Sequence, residues 1–228
     1  MSWSNYITRR LIDYNHDGSP ALRFRKKRAR RLKALISELH AQHAEVDIID
    51  VGGTREYWRI IPENFLKNHN VRITLVNPHP LDVPGDGLFR FIRGDGRDLS
   101  NISDQAFHLA HSNSVIEHVG GRDDMKRFAG EIRRIAEHYF VQTPNYCFPI
   151  EPHLVFPFYQ FLPKKVRIWL IMHFSLGWWK KTDNPDFARA RVESIKLLSR
   201  RKFQKLFSES TIFRERFAFM VKSFIAVK

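Results

Sequence analysis

Two adjacent glycines follow a short apolar segment and offer the first chemistry in this chain. Residues 46–51 carry Asp50 near their end, and Gly52, Gly53 and Thr54 come next. Glycine adopts positive φ without strain and lets another molecule approach the backbone closely. Ligands of open α/β sheets bind outside the carboxyl ends of the strands. The pattern therefore predicts a nucleotide-like cofactor on the glycine turn, with the Asp50 carboxylate meeting solvent or the ligand.

Polar residues also stand where the next apolar segments end. They are Asn77 after residues 71–77, Asp95, Gly96 and Arg97 after residues 88–93, and Asn113 with Ser114 after residues 107–113. A dinucleotide-binding turn needs G-x-G-x-x-G and an acidic residue roughly 20 residues further on. This chain has two adjacent glycines, and Asn77 stands where the acid is needed, which disfavours a nicotinamide dehydrogenase.

Three side chains are candidates for a general base: Glu117, His118 and His153. Carboxylates and imidazoles accept a proton from an acceptor hydroxyl or amine when they lie within hydrogen-bond reach. The alternatives are a helix-capping role for Glu117 and His118 and a packed loop position for His153. No two histidines have the spacing typical of a metal site, so we expect no metal.

Strands and helices alternate along most of the chain. Apolar runs predict strands at 46–51, 71–77, 88–93, 107–113 and 138–143, helices at 122–137 and 199–207, and a closing hairpin of strands at 211–217 and 223–227. Strands separated by helical or turn segments favour a doubly wound parallel sheet. We therefore predict an α/β, Rossmann-like fold with a mostly parallel seven-stranded sheet, an antiparallel C-terminal strand and an aromatic-rich insertion after the fifth strand.

Residues 1–45 are predicted to form an N-terminal segment and a basic helix, ahead of a main domain at 46–228. Proline after a serine is typical of a helix start, which places this helix from Ser19 and Pro20 to about His43. Its basic residues surround the first half of the helix: Arg23, Arg25, Lys26, Lys27, Arg28, Arg30, Arg31 and Lys33. They indicate either a solvated helix or a clamp for phosphate or an anionic membrane surface.

The insertion at residues 146–190 is rich in proline and aromatic residues. Its apolar part is too short and too interrupted to span a bilayer. Some of its aromatic residues are flanked by lysines, as in an interfacial belt: Tyr159, Phe161, Trp169, Trp178 and Trp179, beside Lys164, Lys165, Lys180 and Lys181. The insertion is interpreted as a substrate lid, an interfacial patch or a hydrophobic cover over the sheet.

The composition is that of a basic globular protein. The 228 residues have a formal net charge of +14 and a single cysteine. The charge favours an anionic partner, and one cysteine excludes an internal disulfide framework. The basic residues are not interleaved with aromatics as in RNA-binding proteins. Of the two anionic partners, we therefore expect a membrane surface and not nucleic acid. The first residues lack the apolar core of a signal peptide, and we expect a cytoplasmic location, peripheral at the inner membrane face.

Two segments carry a specific resemblance. Asp95-Gly-Arg-Asp-Leu99 and Ser112-Asn-Ser-Val-Ile-Glu-His-Val119 resemble the corresponding segments of class I S-adenosylmethionine-dependent methyltransferases, in particular the UbiE/Methyltransf_11-like group. The resemblance covers roughly residues 46–145 and again 199–228. It implies S-adenosylmethionine as the cofactor. Where that group usually has further glycines, this chain has Thr54 and Glu56.

The resemblance also implies a role for each strand end. Asp50, Gly52, Gly53 and Thr54 match the motif that cradles the methionine and ribose portions, and Asn77 matches the residue, usually acidic, that binds the ribose hydroxyls. Asp95, Gly96 and Arg97 match the segment that contacts adenine, and Asn113 and Ser114 match the turn near the transferable methyl. Asparagine keeps hydrogen-bonding capacity at position 77 but loses charge assistance, which weakens such a bond by roughly 1 kcal/mol.

The expected function is methyl transfer to an acceptor held under the insertion. The sulfonium is already activated, so the protein mainly aligns the two reactants and excludes water. The aromatic insertion suggests a lipid-linked, glycan or quinone-like acceptor. The alternative is a methyltransferase-fold protein with weak or no turnover that binds an anionic membrane surface or nucleic acid.

Overall fold

The computed structural model describes residues 20–81, 87–151 and 153–228. Its main sheet contains β1 (Val46–Val51), β2 (Val71–Asn77), β3 (Phe89–Arg93), β4 (Phe107–Asn113), β5 (Ala136–Pro144), β8 (Thr211–Phe217) and β9 (Met220–Val227), and a small hairpin contains β6 (Ile150–Glu151) and β7 (Phe156–Pro157). The helices are α1 (Pro20–His40), α2 (Arg55–Trp58), α3 (Glu63–Asn68), α4 (Arg122–Ile135), α5 (Lys164–His173), α6 (Pro185–Ser194) and α7 (Arg200–Leu206).

The strand order of the seven-stranded sheet is β3-β2-β1-β4-β5-β9-β8. The pairs among β1 to β5 are parallel, whereas β9 runs antiparallel to both of its neighbours, β5 and β8. A connection as short as the one between β8 and β9 joins only antiparallel strands, which explains the change of direction. The predicted fold class is confirmed.

Side chains of alternate strand residues pack into two cores on opposite faces of the sheet. Ile48 lies in the core under α1, together with Leu32 and Ile36. Ile49 lies in the opposite core, against Phe128 of α4 and Phe203 of α7. Because both faces are covered, the central strands β1 and β2 are apolar over most of their length, whereas the edge strands β3 and β8 carry exposed charged residues.

The predicted elements agree with the observed ones except at some boundaries. The bounds of β1, β2, β4 and β8 are as predicted. β5 begins earlier because Ala136 pairs with β4, and β9 begins earlier because Met220 and Val221 pair with β8. The short helices α2 and α3 were not expected from the apolar pattern, since each is only one or two turns long. Residues 1–19, including the predicted helix start at Ser19, lie outside the described part of the chain.

The insertion after β5 has a small core of its own. Leu154, Tyr159, Ile171, Ala188 and Val192 are buried there. Its predicted end at residue 190 falls inside α6, which continues to Ser194. Among the described residues, no helix combines the length and the apolar character needed to cross a membrane.

A buried ion pair attaches α1 to the C-terminal hairpin. Arg28 Nη1 lies 2.8 Å from Glu215 Oε2, and the two side chains are only 6% and 4% exposed. Ser223 on β9 donates a hydrogen bond to the same carboxylate. Arg28 is thus the member of the basic segment that turns inward, while Arg23, Lys26, Lys27, Arg30 and Arg31 remain exposed.

We expect Arg28→Met to lower the free energy of unfolding by about 3 kcal/mol, because it leaves the Glu215 carboxylate buried without its partner. The double variant Arg28→Met/Glu215→Leu should recover most of this loss. Lys126→Ala, which removes the exposed pair with Asp123, serves as the control and should change stability by less than about 1 kcal/mol. Urea denaturation measures all three, and an Arg28→Met variant as stable as the control would contradict the role of the pair.

Candidate functional site

The polar strand ends meet at one edge of the sheet. Because β1 to β4 are parallel neighbours, their carboxyl ends lie side by side. The structure brings together there the residues predicted for the cofactor: Asp50, Gly52, Gly53, Thr54, Asn77, Asp95, Gly96, Arg97, Asn113 and Ser114. Their contacts differ from one strand end to the next.

Asp50 lies beneath the glycine turn. Its carboxylate has no exposed surface, contrary to the expectation that it meets solvent or a ligand. One oxygen accepts a hydrogen bond from Trp58 Nε1 at 2.8 Å, and the other lies 2.7 Å from Nδ1 of the buried His111. A carboxylate without water needs such partners to remain in a protein interior. Asp50 is therefore a buried support beneath the glycine turn and does not face a ligand.

Both glycines of the turn are required by what surrounds them. Gly52 has φ of +78°, and a Cβ there would lie 2.6 Å from a methyl of Val115 in the segment after β4. A Cβ on Gly53 would lie 1.8 Å from the Asp50 carboxylate. The Asp50 side chain cannot easily move away, because Trp58 and His111 hold it.

Asn77 holds the same turn from the end of β2. Its Nδ2 donates a hydrogen bond of 2.6 Å to the carbonyl oxygen of Gly53. An aspartate has no N–H and could not make this bond. The methyltransferase group that this sequence resembles usually has an acid at this position. The asparagine found here instead supplies the N–H donor that the Gly53 carbonyl accepts.

Asp95 and Arg97 form a small ion-paired turn after β3. Arg97 Nε lies 2.9 Å from one oxygen of Asp95, and hydrogen bonds from Arg97 lower the pKa of the Asp95 carboxyl. The guanidinium also donates to the carbonyl oxygen of Val119, which ties this turn to the segment after β4. A Cβ on Gly96 would lie 2.6 Å from Val51, so this turn also packs against the end of β1.

The turn after β4 carries a free polar atom. Ser114 adopts φ of +56°, and its hydroxyl donates to Gln142 Oε1 at 2.8 Å. Asn113 Oδ1 is buried and has no hydrogen-bond partner among the described residues. A buried acceptor without a partner is costly, which makes it a candidate contact for a ligand. Thr54, by contrast, is exposed and its side chain does not cap α2.

The three predicted catalytic residues lie together, although 35 residues separate His118 from His153. The Nε2 atoms of the two histidines are 3.1 Å apart. One side-chain oxygen or nitrogen atom from each of Glu117, His118 and His153 lies within 4.8 Å of the other two. Glu117 is fully buried and accepts a 3.0 Å hydrogen bond from Thr143 on β5. The parallel pairing of β4 with β5 produces this arrangement, because it places the two strand ends next to each other.

The surroundings change the pKa values of all three groups. Burial raises the pKa of Glu117 to about 7. Burial and the charge of His153 lower the pKa of His118 to about 4. Burial alone would lower the pKa of His153, but the hydrogen bond and the charge of Glu151 outweigh it and raise this pKa. Perturbed groups in one cluster are typical of functional sites.

Sequence reasoning missed the partners that position these groups. Trp58 and His111 hold Asp50, whereas Thr143 and Glu151 hold Glu117 and His153. His111 stands inside the apolar strand β4, and a titratable residue at such a position is a usable signal. Trp58 and Thr143 belong to residue types that are common in cores and strands, so they gave no signal.

A cavity of about 240 Å³ lies beside Glu151 and is lined by residues of the insertion and of the segment that follows it. Aromatic side chains of Tyr146, Tyr159 and Trp179 line it. Two further lining residues, Gln160 and Arg167, each have a buried polar atom with no hydrogen-bond partner among the described residues. The cavity thus combines aromatic walls with polar atoms that a ligand could satisfy.

Solved structures to which this chain is similar include S-adenosylmethionine-dependent methyltransferases. The chain is similar to the 1,6-didemethyltoxoflavin-N1-methyltransferase of Burkholderia thailandensis, solved with S-adenosylhomocysteine, at 13% identity and a TM-score of 0.51, covering 95% of this chain and 83% of that one. It is also similar to a SAM-dependent methyltransferase of Methanosarcina mazei, at 9% identity and a TM-score of 0.48, covering 81% and 92%. The chain has the fold of class I S-adenosylmethionine-dependent methyltransferases.

In sequence, the chain matches two uncharacterized proteins of Mycobacterium tuberculosis, Rv1509 of strain H37Rv and MT1557 of strain CDC 1551. Identity is 33% over 72 residues, and the match spans 32% of this chain but only 24% of each relative. No family model matches the chain. Membership of the UbiE/Methyltransf_11-like group therefore stays a prediction.

We expect Gly53→Ala to lower the free energy of unfolding by about 1–3 kcal/mol, because the new methyl group overlaps the held Asp50 carboxylate. Gly130→Ala is the matched control, since Gly130 lies within α4 and a Cβ there meets no atom within 4 Å. That substitution should stabilise the helix by up to about 1 kcal/mol. Urea denaturation compares the two, and equal effects would contradict the tight fit of the turn.

Proposed function

We propose that this protein transfers a methyl group from S-adenosylmethionine to an acceptor bound under the insertion. The observation that carries the proposal is that four polar strand ends meet at one glycine turn. Val115, Asp50 and Asn77 contact this turn from different sides. It occurs at the edge of the sheet where open α/β folds bind their ligands. The class I methyltransferase fold supports the same conclusion.

The cofactor would lie along the carboxyl edge from β1 to β4. Gly52 and Gly53 would lie against its methionine and ribose portions, and Asn77 Oδ1 would accept from a ribose hydroxyl while Nδ2 stays on Gly53. The turn of Asp95, Gly96 and Arg97 would contact adenine. The unpartnered Asn113 Oδ1, with Ser114 beside it, would lie near the methyl group.

The acceptor would enter from the side of the insertion. In the transfer, its nucleophilic atom forms a bond to the methyl carbon, the carbon–sulfur bond breaks, and the electron pair stays on sulfur. The acceptor proton would pass to the cluster of Glu117, His118 and His153. His118 is unprotonated at neutral pH because its pKa is lowered, whereas Glu117, with a pKa of about 7, is the stronger base of the two. The protein otherwise supplies alignment and exclusion of water.

Isothermal titration with S-adenosylhomocysteine tests the cofactor. We expect saturable binding of one ligand per chain, because the product analogue keeps the methionine, ribose and adenine portions. The Gly53→Ala variant should lose this binding, whereas Gly130→Ala should bind as the wild type does. Absence of binding to the wild type at millimolar ligand would overturn the proposal.

We further propose that the acceptor is lipid-linked and that the protein works at the inner face of the membrane. The insertion exposes large aromatic side chains, including Phe158 at 59%, Trp169 at 50% and Trp178 at 53%. Exposed aromatics beside lysines are typical of interfacial anchoring. Tyr159, expected in the same belt, is instead buried in the core of the insertion and takes no part.

Flotation with anionic phosphatidylglycerol vesicles tests this second proposal. The double variant Trp169→Ser/Trp178→Ser should reduce vesicle binding, because it removes two exposed anchors. Phe219→Ser is the matched control, since Phe219 is 96% exposed but lies in the β8–β9 hairpin. Equal binding of both variants would contradict the proposal. If the wild-type protein binds vesicles but not S-adenosylhomocysteine, the alternative of a membrane adaptor is favoured. If it binds duplex DNA and neither vesicles nor S-adenosylhomocysteine, the nucleic-acid alternative is favoured.

A further inference from the structure

The ring of His153 is held with its Nε2 lone pair directed away from its own loop. His153 Nδ1 lies 2.6 Å from Oε1 of Glu151, a buried carboxylate. The other oxygen of Glu151 accepts the backbone N–H groups of His153 and Leu154, each at 2.8 Å. Because the carboxylate accepts at both oxygens, the Nδ1 atom is the donor of this pair. Nε2 is then left as an acceptor.

The ring of His118 directs a second nitrogen atom towards Nε2 of His153. Its Nε2 lies 3.1 Å from Nε2 of His153, within hydrogen-bond distance. One of these nitrogens donates a proton to the other, and a metal ion bound by both lone pairs would take the place of that proton. Two nitrogen ligands of one Zn²⁺, each roughly 2.0–2.1 Å from the metal, lie about 2.9–3.4 Å apart. The observed separation falls within that range.

Glu117 completes the set with a carboxylate oxygen that has no other role. Its Oε2 accepts from Thr143, whereas its Oε1 is buried and has no hydrogen-bond partner among the described residues. The ligand atoms of the three residues lie within 4.8 Å of one another. An orphaned buried oxygen is costly in a protein, and a metal ion would satisfy it.

We propose that Glu117, His118 and His153 bind a divalent transition-metal ion, Zn²⁺ by the nature of the donors. Two imidazoles and one carboxylate are the ligands of zinc sites that keep a further position open. Glu151 is the outer partner that orients the ring of His153, as carboxylates do in many histidine metal sites. The exposed face of His118 leaves room for the open position.

This site replaces the expectation that the chain binds no metal. That expectation came from histidine spacing along the sequence, and the present ligands come from two segments 35 residues apart. This inference builds on the proposed methyltransferase function and changes one step of it: with the ion bound, the three side chains would be ligands and no longer proton acceptors. An acceptor oxygen would occupy the open position, the ion would lower the pKa of its hydroxyl, and the proton would leave to solvent. The binding of the ion itself does not depend on that function.

The test is Zn²⁺ binding by the full-length protein after treatment with a chelator. Competition with a chromophoric chelator should show one tight site per chain, and Co²⁺ in its place should give the visible absorption of a protein-bound ion. His118→Ala and His153→Ala should each weaken Zn²⁺ binding by more than about 100-fold, and Glu151→Gln by about 10–100-fold. His173→Ala, which removes an exposed histidine of α5, should leave the affinity unchanged.

Thermal unfolding of each variant separates loss of the site from loss of the fold, and His118 is exposed, so its removal should be tolerated. Weak or non-stoichiometric Zn²⁺ binding by the wild type, or equal binding by folded His118→Ala and His173→Ala, would overturn the proposal. S-adenosylhomocysteine titrations on the same samples keep the two proposals apart. Cofactor binding without Zn²⁺ binding would overturn the metal site alone, and Zn²⁺ binding without cofactor binding would overturn the methyltransferase alone.

Discussion

A buried carboxylate organises the cofactor edge of this protein. Asp50 has no exposed surface, and its two oxygens are held by Trp58 and His111. Hydrogen bonds to an ionised group are stronger than neutral ones, which offsets part of the cost of burial. The position of this carboxylate then requires glycine at residue 53. The glycine turn is therefore shaped from inside the protein, before any ligand is considered.

The turn is also linked to each neighbouring strand end. Val115, after β4, leaves space only for glycine at position 52, and Asn77, at the end of β2, donates to the carbonyl of Gly53. Gly96, after β3, packs on Val51. These contacts make the four strand ends one continuous surface. Of the sequence departures from the resembling family, the asparagine at position 77 is matched by such a contact, its hydrogen bond to Gly53.

The other half of the edge has a different chemical character. There β4 and β5 bring Glu117 against Thr143, and the loop after β5 supplies His153 and Glu151. The insertion also closes on this region, since the backbone N–H of Lys196 donates to the carbonyl of Glu117. The proposed donor pocket on β1 to β3 and the proposed acceptor and metal region on β4 and β5 thus share one segment, residues 113–119.

The sequence by itself determined the elements and the edge of the sheet where the site lies. Apolar, β-branched runs predicted β1 and β2, because a strand buried on both faces is apolar over most of its length. Alternation of apolar and polar residues predicted the half-exposed β8. The polar residues that follow the apolar runs predicted the candidate site, since parallel strands end at a common edge. Both properties are local in sequence, so periodicity and residue type suffice to read them.

Only the tertiary structure decided what these side chains contact. Asp50 was expected at the surface and is buried, and Tyr159 was expected in an exposed belt and lies in the core of the insertion. His118 and His153 gave no metal signal, although their ring nitrogens meet. Each of these outcomes depends on which distant segments pack together. Strand pairing and the folding of the insertion set those contacts, and neither is encoded in the spacing of residues along one segment.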